Sequence, residues 1–384
     1  MTSDDLPIGR RVARWRVRRS MTQQQLADRL RKSKSWVDKV ERGVRALDRY
    51  SVIHEVAEVL RVDPEVLLGQ QPQRTPVGAL DGVDDIRAAL ARYDTPEATR
   101  QATEEARRQV GHAWLTYQHA HYAQLVRVLP GLLDVVQGVR APELRVQTYR
   151  ITSALLVKLG EADLGWLSAD RAMAVAGDDP ALAATAAVSV AQALRASDRD
   201  RLALAATLAA ANRIRPQRSP GEWALGGTLL LQAALAAAGC GEHHRADELT
   251  DRAAGVAANL RGYDDEHRTS FGPVAVDLAR VLVAARRGDA DEAVHRHVRV
   301  VRRETWRRLP AEHRGAYLLD AARAYLQQGD LRGAARAIVD ADSVAPAEVR
   351  CRPLARTLIA DVARAKPAPA GVTRLATLVG LTRP

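Results

Sequence analysis

Basic side chains are concentrated near the start of the chain. Residues 8–49 contain fourteen Arg and Lys against four Asp and Glu, a net charge of +10, whereas all 384 residues carry a formal charge of +11. Lys and Arg donate hydrogen bonds to phosphate oxygens and to guanine, and Ser can contact either class of base. This stretch therefore predicts nucleic-acid binding, although a charged face that meets only solvent gives the same pattern.

Two short helices must position these side chains. Thr22 can cap a first helix, because its hydroxyl accepts a hydrogen bond from an otherwise unpaired backbone amide. Leu26, Ala27 and Leu30 recur at helical spacing and form the buried face of that helix. After a polar turn, Ser33 can cap a second helix.

The second helix has an apolar side and a polar side. Val37 and Val40 are three residues apart and form its buried stripe. The side chains left facing outward are Lys34, Ser35, Asp38 and Lys39. Residues 21–43 therefore predict a helix-turn-helix, with the second helix free to enter a DNA groove.

This run resembles the helix-turn-helix of the phage-repressor-like (XRE) transcriptional regulators, here of an actinobacterial type. The resemblance covers about residues 1–69 and implies a five-helix, lambda-repressor-like DNA-binding domain. The residues that carry it are Thr22-Gln23, Leu26-Ala27, Leu30, Ser33, Ser35, Val37, Val40 and Glu41-Arg42-Gly43, with Ile8, Val12, Trp15 and Arg16 before them and residues 50–69 after them.

The resemblance also implies which residues meet DNA. Lys34, Ser35 and Lys39 occupy the positions that read bases, whereas Trp36 either covers a thymine methyl or a sugar or packs into the core. An Arg at the position of Arg16 pairs with the acid at Glu41 and touches phosphate. The full set of expected DNA-binding residues is Arg16, Gln23, Lys34, Ser35, Trp36, Lys39, Arg42 and Arg45.

Glycine marks the turns of this motif in the family. Gly43 is expected to end the second helix at positive φ, which costs glycine nothing. The family often has Gly where this chain has Ser20 and Arg31. A bulky residue at positive φ carries strain, so Arg31 is expected to tolerate an unfavourable backbone conformation.

The rest of the chain is predicted to be helical. Residues 70–80 contain two prolines and one glycine and predict a linker, and residues 81–384 predict a solenoid of helical hairpins. The clearest unit, residues 318–346, resembles a tetratricopeptide repeat with its turn at Gly329-Asp330. Further turns are predicted at Gly160-Glu161, Ser197-Asp198, Gly241-Glu242 and Gly288-Asp289. The predicted fold class is all-α.

A cluster of aromatic residues is a candidate effector pocket. Trp114, Tyr117 and His121 are spaced as one face of a helix, in a chain with only 4% aromatic residues. Such a stripe is typical of core packing, but it also suits a pocket wall or a domain interface.

Other classes of function have little support. The sequence has no phosphate-binding loop, dinucleotide fingerprint or HExxH motif, so we expect neither an enzyme nor a cofactor. Cys240 with His243 and His244, and His295 with His297, lack the paired ligands of a zinc site. Two cysteines, no signal peptide and no apolar run of about 18 residues predict a cytoplasmic protein without membrane spans.

The sequence thus predicts a regulator that binds double-stranded DNA as a homodimer. Its solenoid would dimerise and sense a peptide or small-molecule effector, which the resemblance implies. An adaptor that uses the solenoid to hold a protein partner, with DNA serving only to localise it, is the alternative. A metal-dependent enzyme is a third alternative.

Overall fold

The computed structural model describes residues 7–19, 21–47, 50–60, 62, 67, 82–92, 100–214, 219–260, 265–365 and 369–381. Every regular element in these ranges is a helix, so the predicted all-α class is confirmed. The chain divides into two compact units, residues 1–76 and 77–384. The predicted linker and most of the predicted fifth helix lie outside the described residues.

The first unit contains four described helices around one small core. They are α1 (Ile8–Arg18), α2 (Gln23–Leu30), α3 (Lys34–Glu41) and α4 (Tyr50–Leu60). Gly9 lets α1 approach α3, because a Cβ at this position would lie 2.0 Å from the carbonyl oxygen of Val40. Val12, Leu26 and Ile53 are almost fully buried among these helices.

Side-chain caps define the beginnings of α2 and α3. The Thr22 hydroxyl accepts a hydrogen bond from the Gln25 amide at 3.1 Å, and the Gln25 side chain accepts one from the Thr22 amide at 2.8 Å. Ser33 Oγ accepts a hydrogen bond from the Trp36 amide at 3.1 Å. Both predicted caps are confirmed, and each satisfies an amide that the helix leaves unpaired.

The turn between α2 and α3 places Arg31 in the left-handed region, at φ 53° and ψ 38°. The expected positive φ at this residue is therefore confirmed. Gly43 ends α3 at φ 75°, also as predicted.

The second unit is a solenoid of helical hairpins. Its helices are α5 (Val83–Ala91), α6 (Arg100–Gln118), α7 (Tyr122–Gln137), α8 (Pro142–Leu159), α9 (Ala162–Ala176), α10 (Pro180–Ala196), α11 (Asp200–Arg213), α12 (Pro220–Gly239), α13 (His243–Asn259), α14 (Pro273–Arg286), α15 (Ala290–Val300), α16 (Glu304–Arg307), α17 (Ala311–Gln328), α18 (Leu331–Val344), α19 (Pro346–Cys351), α20 (Pro353–Ala363) and α21 (Ala370–Leu378). No helix in the described ranges is both long and apolar enough to span a membrane.

All five predicted turns separate consecutive helices of this solenoid. Four of them contain a glycine at φ between 78° and 87°, a region that a side chain disfavours. The fifth has Asp198 at φ 56° instead. The glycine-acid pairs thus identify hairpin turns correctly, although their spacing along the chain is irregular.

The hairpins are arranged in two rows of helices. One row, here called the inner row, consists of helices that contact each other in sequence order: α6, α8, α10, α12, α14 and α17. Contacts also join the start and the end of the solenoid, because α17 packs on α6 and α19 packs on α8.

The predicted aromatic face is wrong at His121. Helix α6 ends at Gln118, and Ala120 adopts φ 58° in the turn that follows. His121 is instead the residue preceding α7. His121 would share a face with Trp114 and Tyr117 only if α6 continued to residue 121. The turn at residues 119–121, which contains no glycine, ends the helix first.

Candidate nucleic-acid interface

Helix α3 presents a polar face that is open to solvent. Lys34, Ser35 and Lys39 are exposed, whereas Val37 and Val40 each retain only 1% of their surface. The three polar residues occupy the first two turns of the helix, and the Ser33 cap fixes where that helix begins. A base edge in a major groove can therefore approach their donors without any rearrangement of the core.

Glu41 joins three elements beneath that face. Its carboxylate accepts hydrogen bonds from Arg16 Nε at 2.6 Å and Arg16 Nη2 at 3.0 Å, so the expected ion pair between α1 and α3 is confirmed. Gln23 Nε2 donates to the same carboxylate at 2.8 Å, and Arg16 Nη1 donates to the Met21 carbonyl at 2.7 Å. Glu41 is 5% exposed, so these bonds take the place of water.

The Gln23 side chain, which is expected to meet a phosphate, also has a partner within the domain. One N–H of its amide is used by Glu41. Gln23 is also the first residue of α2, so the free backbone amides at this helix N-terminus remain suited to an anion.

The remaining predicted residues of α3 and the following turn are accessible to different degrees. Trp36 is half-buried, so its ring is shared between the core and the surface. Arg42 is exposed and forms an ion pair with Asp38 at 2.7 Å. Arg45 is exposed too, and its backbone amide donates to the Lys39 carbonyl at 3.0 Å, which folds the chain back onto the end of α3.

Some of the cations near the start of the chain serve the fold instead. Arg11 Nη1 donates to the Leu67 carbonyl at 2.8 Å, and Arg19 Nε donates to the Leu60 carbonyl at 3.0 Å. The Arg18 guanidinium lies 4.9 Å from the Trp15 ring centroid. These cations belong to the basic stretch of residues 8–49, but a net charge does not distinguish an arginine that contacts phosphate from one that donates to a backbone carbonyl.

The candidate effector residues of the solenoid are mostly buried. Trp114 is 5% and Tyr117 is 8% exposed, and their rings meet edge to face with centroids 5.9 Å apart. Tyr117 Oη donates to Glu312 at 3.1 Å, and burial followed by the charges of Glu312 and Glu348 raises the pKa of this tyrosine well above its usual value. His121 is half-buried and stacks on His119.

Within the described ranges, no three His, Cys, Asp or Glu side chains lie close enough together to hold a metal ion. His297 is 7% exposed, its Nδ1 lies 3.1 Å from Tyr317 Oη, and burial lowers its pKa to about 4. Burial, with the charges of Asp200 and Glu242, raises the pKa of the Cys240 thiol.

Comparison with known proteins identifies the first unit. Residues 7–68 match the family model of a helix-turn-helix domain. No curated protein matches the chain. Among solved structures, the chain is similar to Bacillus thuringiensis PlcR in complex with the peptide PapR7 and DNA, with 11% identity, 77% of this chain and 94% of that chain covered, and a TM-score of 0.37. The start of the chain is a helix-turn-helix domain.

Proposed function

We propose that this chain is a sequence-specific DNA-binding transcriptional regulator. The observation that carries the proposal is the solvent-open face of α3, where Lys34, Ser35 and Lys39 project away from the buried Val37 and Val40. Specificity requires donors that reach base edges, and phosphate contacts made by the surrounding arginines add affinity that is independent of sequence.

One helix-turn-helix contacts only a few base pairs. Regulators of this kind bind two half-sites about 34 Å apart, so we propose that the protein acts as a homodimer formed by its solenoid. A peptide or small-molecule effector that binds one conformation of the solenoid more tightly than another would alter the spacing of the two DNA-binding units.

The test begins with selection of bound sequences from random duplex DNA by the full-length protein. The variant Lys34→Gln/Lys39→Gln is then compared with Arg10→Gln/Arg14→Gln, which removes the same charge from exposed positions on α1. We expect the α3 variant to lose the sequence preference, and the α1 variant to keep it while binding all duplexes more weakly. If both variants select the same sequences as the unmodified protein, α3 does not read bases.

The alternative adaptor function makes a different prediction in the same experiment. An adaptor localised by phosphate contacts binds random duplexes equally well, and its affinity falls steeply with salt concentration for every sequence. Selection of no consensus sequence would therefore favour an adaptor over a regulator.

A further inference from the structure

The loop of residues 265–272, between α13 and α14, contacts helices that are distant in sequence. The His267 carbonyl accepts a hydrogen bond from Arg150 Nη2 of α8 at 3.0 Å. The Arg268 guanidinium lies 5.9 Å from the ring centroid of Trp114 on α6. A short segment thus offers a backbone acceptor and a cation to two helices of the inner row.

A third contact anchors the end of the same loop. Phe271 is the single phenylalanine of the chain and is 5% exposed. Its ring lies against Gly227 of α12, where an added Cβ would be 2.1 Å from the ring. The absence of a side chain at Gly227 therefore leaves the space that the Phe271 ring occupies, and any other residue at this position would fill that space.

Beneath the loop, the buried guanidinium of Arg150 has a hydrogen-bond donor without a partner. Arg150 is 3% exposed, and burial lowers the pKa of its guanidinium to about 10, with the charge of Asp265 acting in the opposite direction. Within the described ranges no acidic side chain pairs with this guanidinium. Its partners are Gln147 Oε1 at 3.0 Å and the His267 carbonyl, and its Nε has none. Buried guanidinium groups normally have a full set of partners.

Aromatic and amide groups complete that surface. Trp114 Nε1 donates to Gln147 Oε1 at 2.9 Å, and the Arg150 guanidinium lies 5.2 Å from the Trp114 ring centroid. The position and orientation of the indole are thereby fixed before Arg268 approaches it. A fixed aromatic ring next to a buried hydrogen-bond donor is typical of a ligand site.

The loop itself is held in an unfavourable conformation. Arg268 and Ser270 both adopt φ 52°, and neither is a glycine. The Asp265 carboxylate maintains this conformation by accepting hydrogen bonds from the Thr269 and Ser270 amides, each at 2.8 Å. Backbone strain of this kind occurs at ligand clamps and switch regions, and release of the loop would relieve it.

We propose that Trp114, Arg150 and Gly227 form a peptide-binding site that the chain's own segment 265–272 occupies. The external ligand is a peptide with an arginine followed three residues later by a phenylalanine, the spacing of Arg268 and Phe271. The tethered segment competes at a high effective concentration, and its strain weakens that competition. Peptide binding itself does not depend on the proposed function. Only its consequence, an altered spacing of the two DNA-binding units, rests on that function.

The test replaces residues 265–271 by a Gly-Ser segment of equal length in the full chain. A fluorescent synthetic peptide of sequence 265–272 is then titrated without DNA, and binding is followed by anisotropy. We expect at least tenfold tighter binding to this variant than to the unmodified protein, whose own loop occupies the site. A scrambled peptide is the control, and adding Arg150→Met to the variant should weaken binding at least tenfold.

Two results overturn the proposal. One is equal affinity of the peptide for the unmodified and loop-replaced proteins, and the other is binding that is indifferent to Arg150→Met. Because no DNA is present, failure of DNA recognition leaves this measurement unaffected, and the two proposals can fail separately.

A milder variant keeps the proposal testable if loop replacement prevents folding. Phe271→Ala removes one anchor, and Leu202→Ala, at an exposed residue of α11, is its control. We expect faster hydrogen exchange in segment 265–272 and at least tenfold tighter peptide binding for Phe271→Ala alone. Faster exchange without tighter binding means that the loop only packs the solenoid.

Discussion

At the scale of single residues, Glu41 explains why the helix-turn-helix has a fixed shape. Its carboxylate receives Arg16 from α1 and Gln23 from α2, and it is part of α3. The resemblance predicted the ion pair with Arg16 correctly. It did not predict the bond from Gln23, because the sequence shows that an amide is present but not which acceptor is nearest.

Glu41→Gln should loosen this junction. The substitution leaves the Arg16 guanidinium, whose side chain is 14% exposed, without its counter-charge, and removal of one partner from a largely buried pair costs about 2–3 kcal/mol. Hydrogen exchange of the α3 amides in the full-length protein measures that loss as faster local opening.

The control for this substitution lies on the same helix. Asp38→Asn breaks the exposed ion pair with Arg42, and a solvent-screened pair of this spacing contributes only about 0.3–0.5 kcal/mol. Similar exchange rates in the two variants would show that Glu41 is no more important to the junction than a surface acid.

At the scale of elements, turn chemistry was the most predictable part of the fold. Gly43 and the glycines of four solenoid turns adopt positive φ where the sequence placed them. Ala120 and Asp198 adopt the same conformation without being glycine. The Ser197-Asp198 turn is marked by an acid, whereas the turn at Ala120 has neither a glycine nor an acid, so the sequence predicts a continuous helix there and places His121 on it.

Arg31→Gly should stabilise the turn between α2 and α3. Arg31 is exposed, and its backbone lies in the left-handed region. Removing its Cβ relieves strain of about 1 kcal/mol, which is partly offset by the greater freedom of glycine in the unfolded chain. Because the change also removes a cation, Arg31→Ala is the reference. We expect slower hydrogen exchange in α2 and α3 for the glycine variant than for the alanine variant; the reverse order would mean that the turn relaxes around a side chain.

At the scale of the whole molecule, the helices and hairpins could be predicted from the sequence, but the contacts that join the two ends of the solenoid could not. Helical periodicity reports which face of each helix is buried, and it carries no information about partners far along the chain. Lys158 of α8 illustrates this limit. Its Nζ lies 2.6 Å from Glu312 of α17 and 2.7 Å from Glu348 of α19.

These charges form a buried cluster with further partners. Glu348 has no exposed surface, pairs with Arg352 at 2.8 Å and accepts a hydrogen bond from Tyr122 Oη. Burial alone would raise the pKa of Glu312, but the charge of Lys158 lowers it to about 2. Glu312 therefore stabilises the fold at neutral pH, and this contribution is lost as pH falls from about 4.5 toward 2.

Lys158→Met should reverse that dependence on pH. Without the ammonium group, the two buried carboxylates are left with Arg352, which pairs with Glu348, and with His313, whose Nδ1 lies 3.6 Å from Glu312. Breaking a buried pair in this way costs about 3–5 kcal/mol at pH 7.5. The pKa of Glu312 then rises because the effect of burial is opposed only by His313 and the Tyr117 hydrogen bond, so lowering the pH toward 5 favours protonation of the carboxyl and reduces the penalty. Urea unfolding of the full-length protein at both pH values measures the difference.

The control for this prediction is an exposed ion pair. Arg280→Met, which breaks a pair with Asp251, should cost less than about 1 kcal/mol at either pH. A Lys158→Met penalty that is constant between pH 7.5 and 5 would contradict the assignment of this cluster as the charged connection between the two ends of the solenoid.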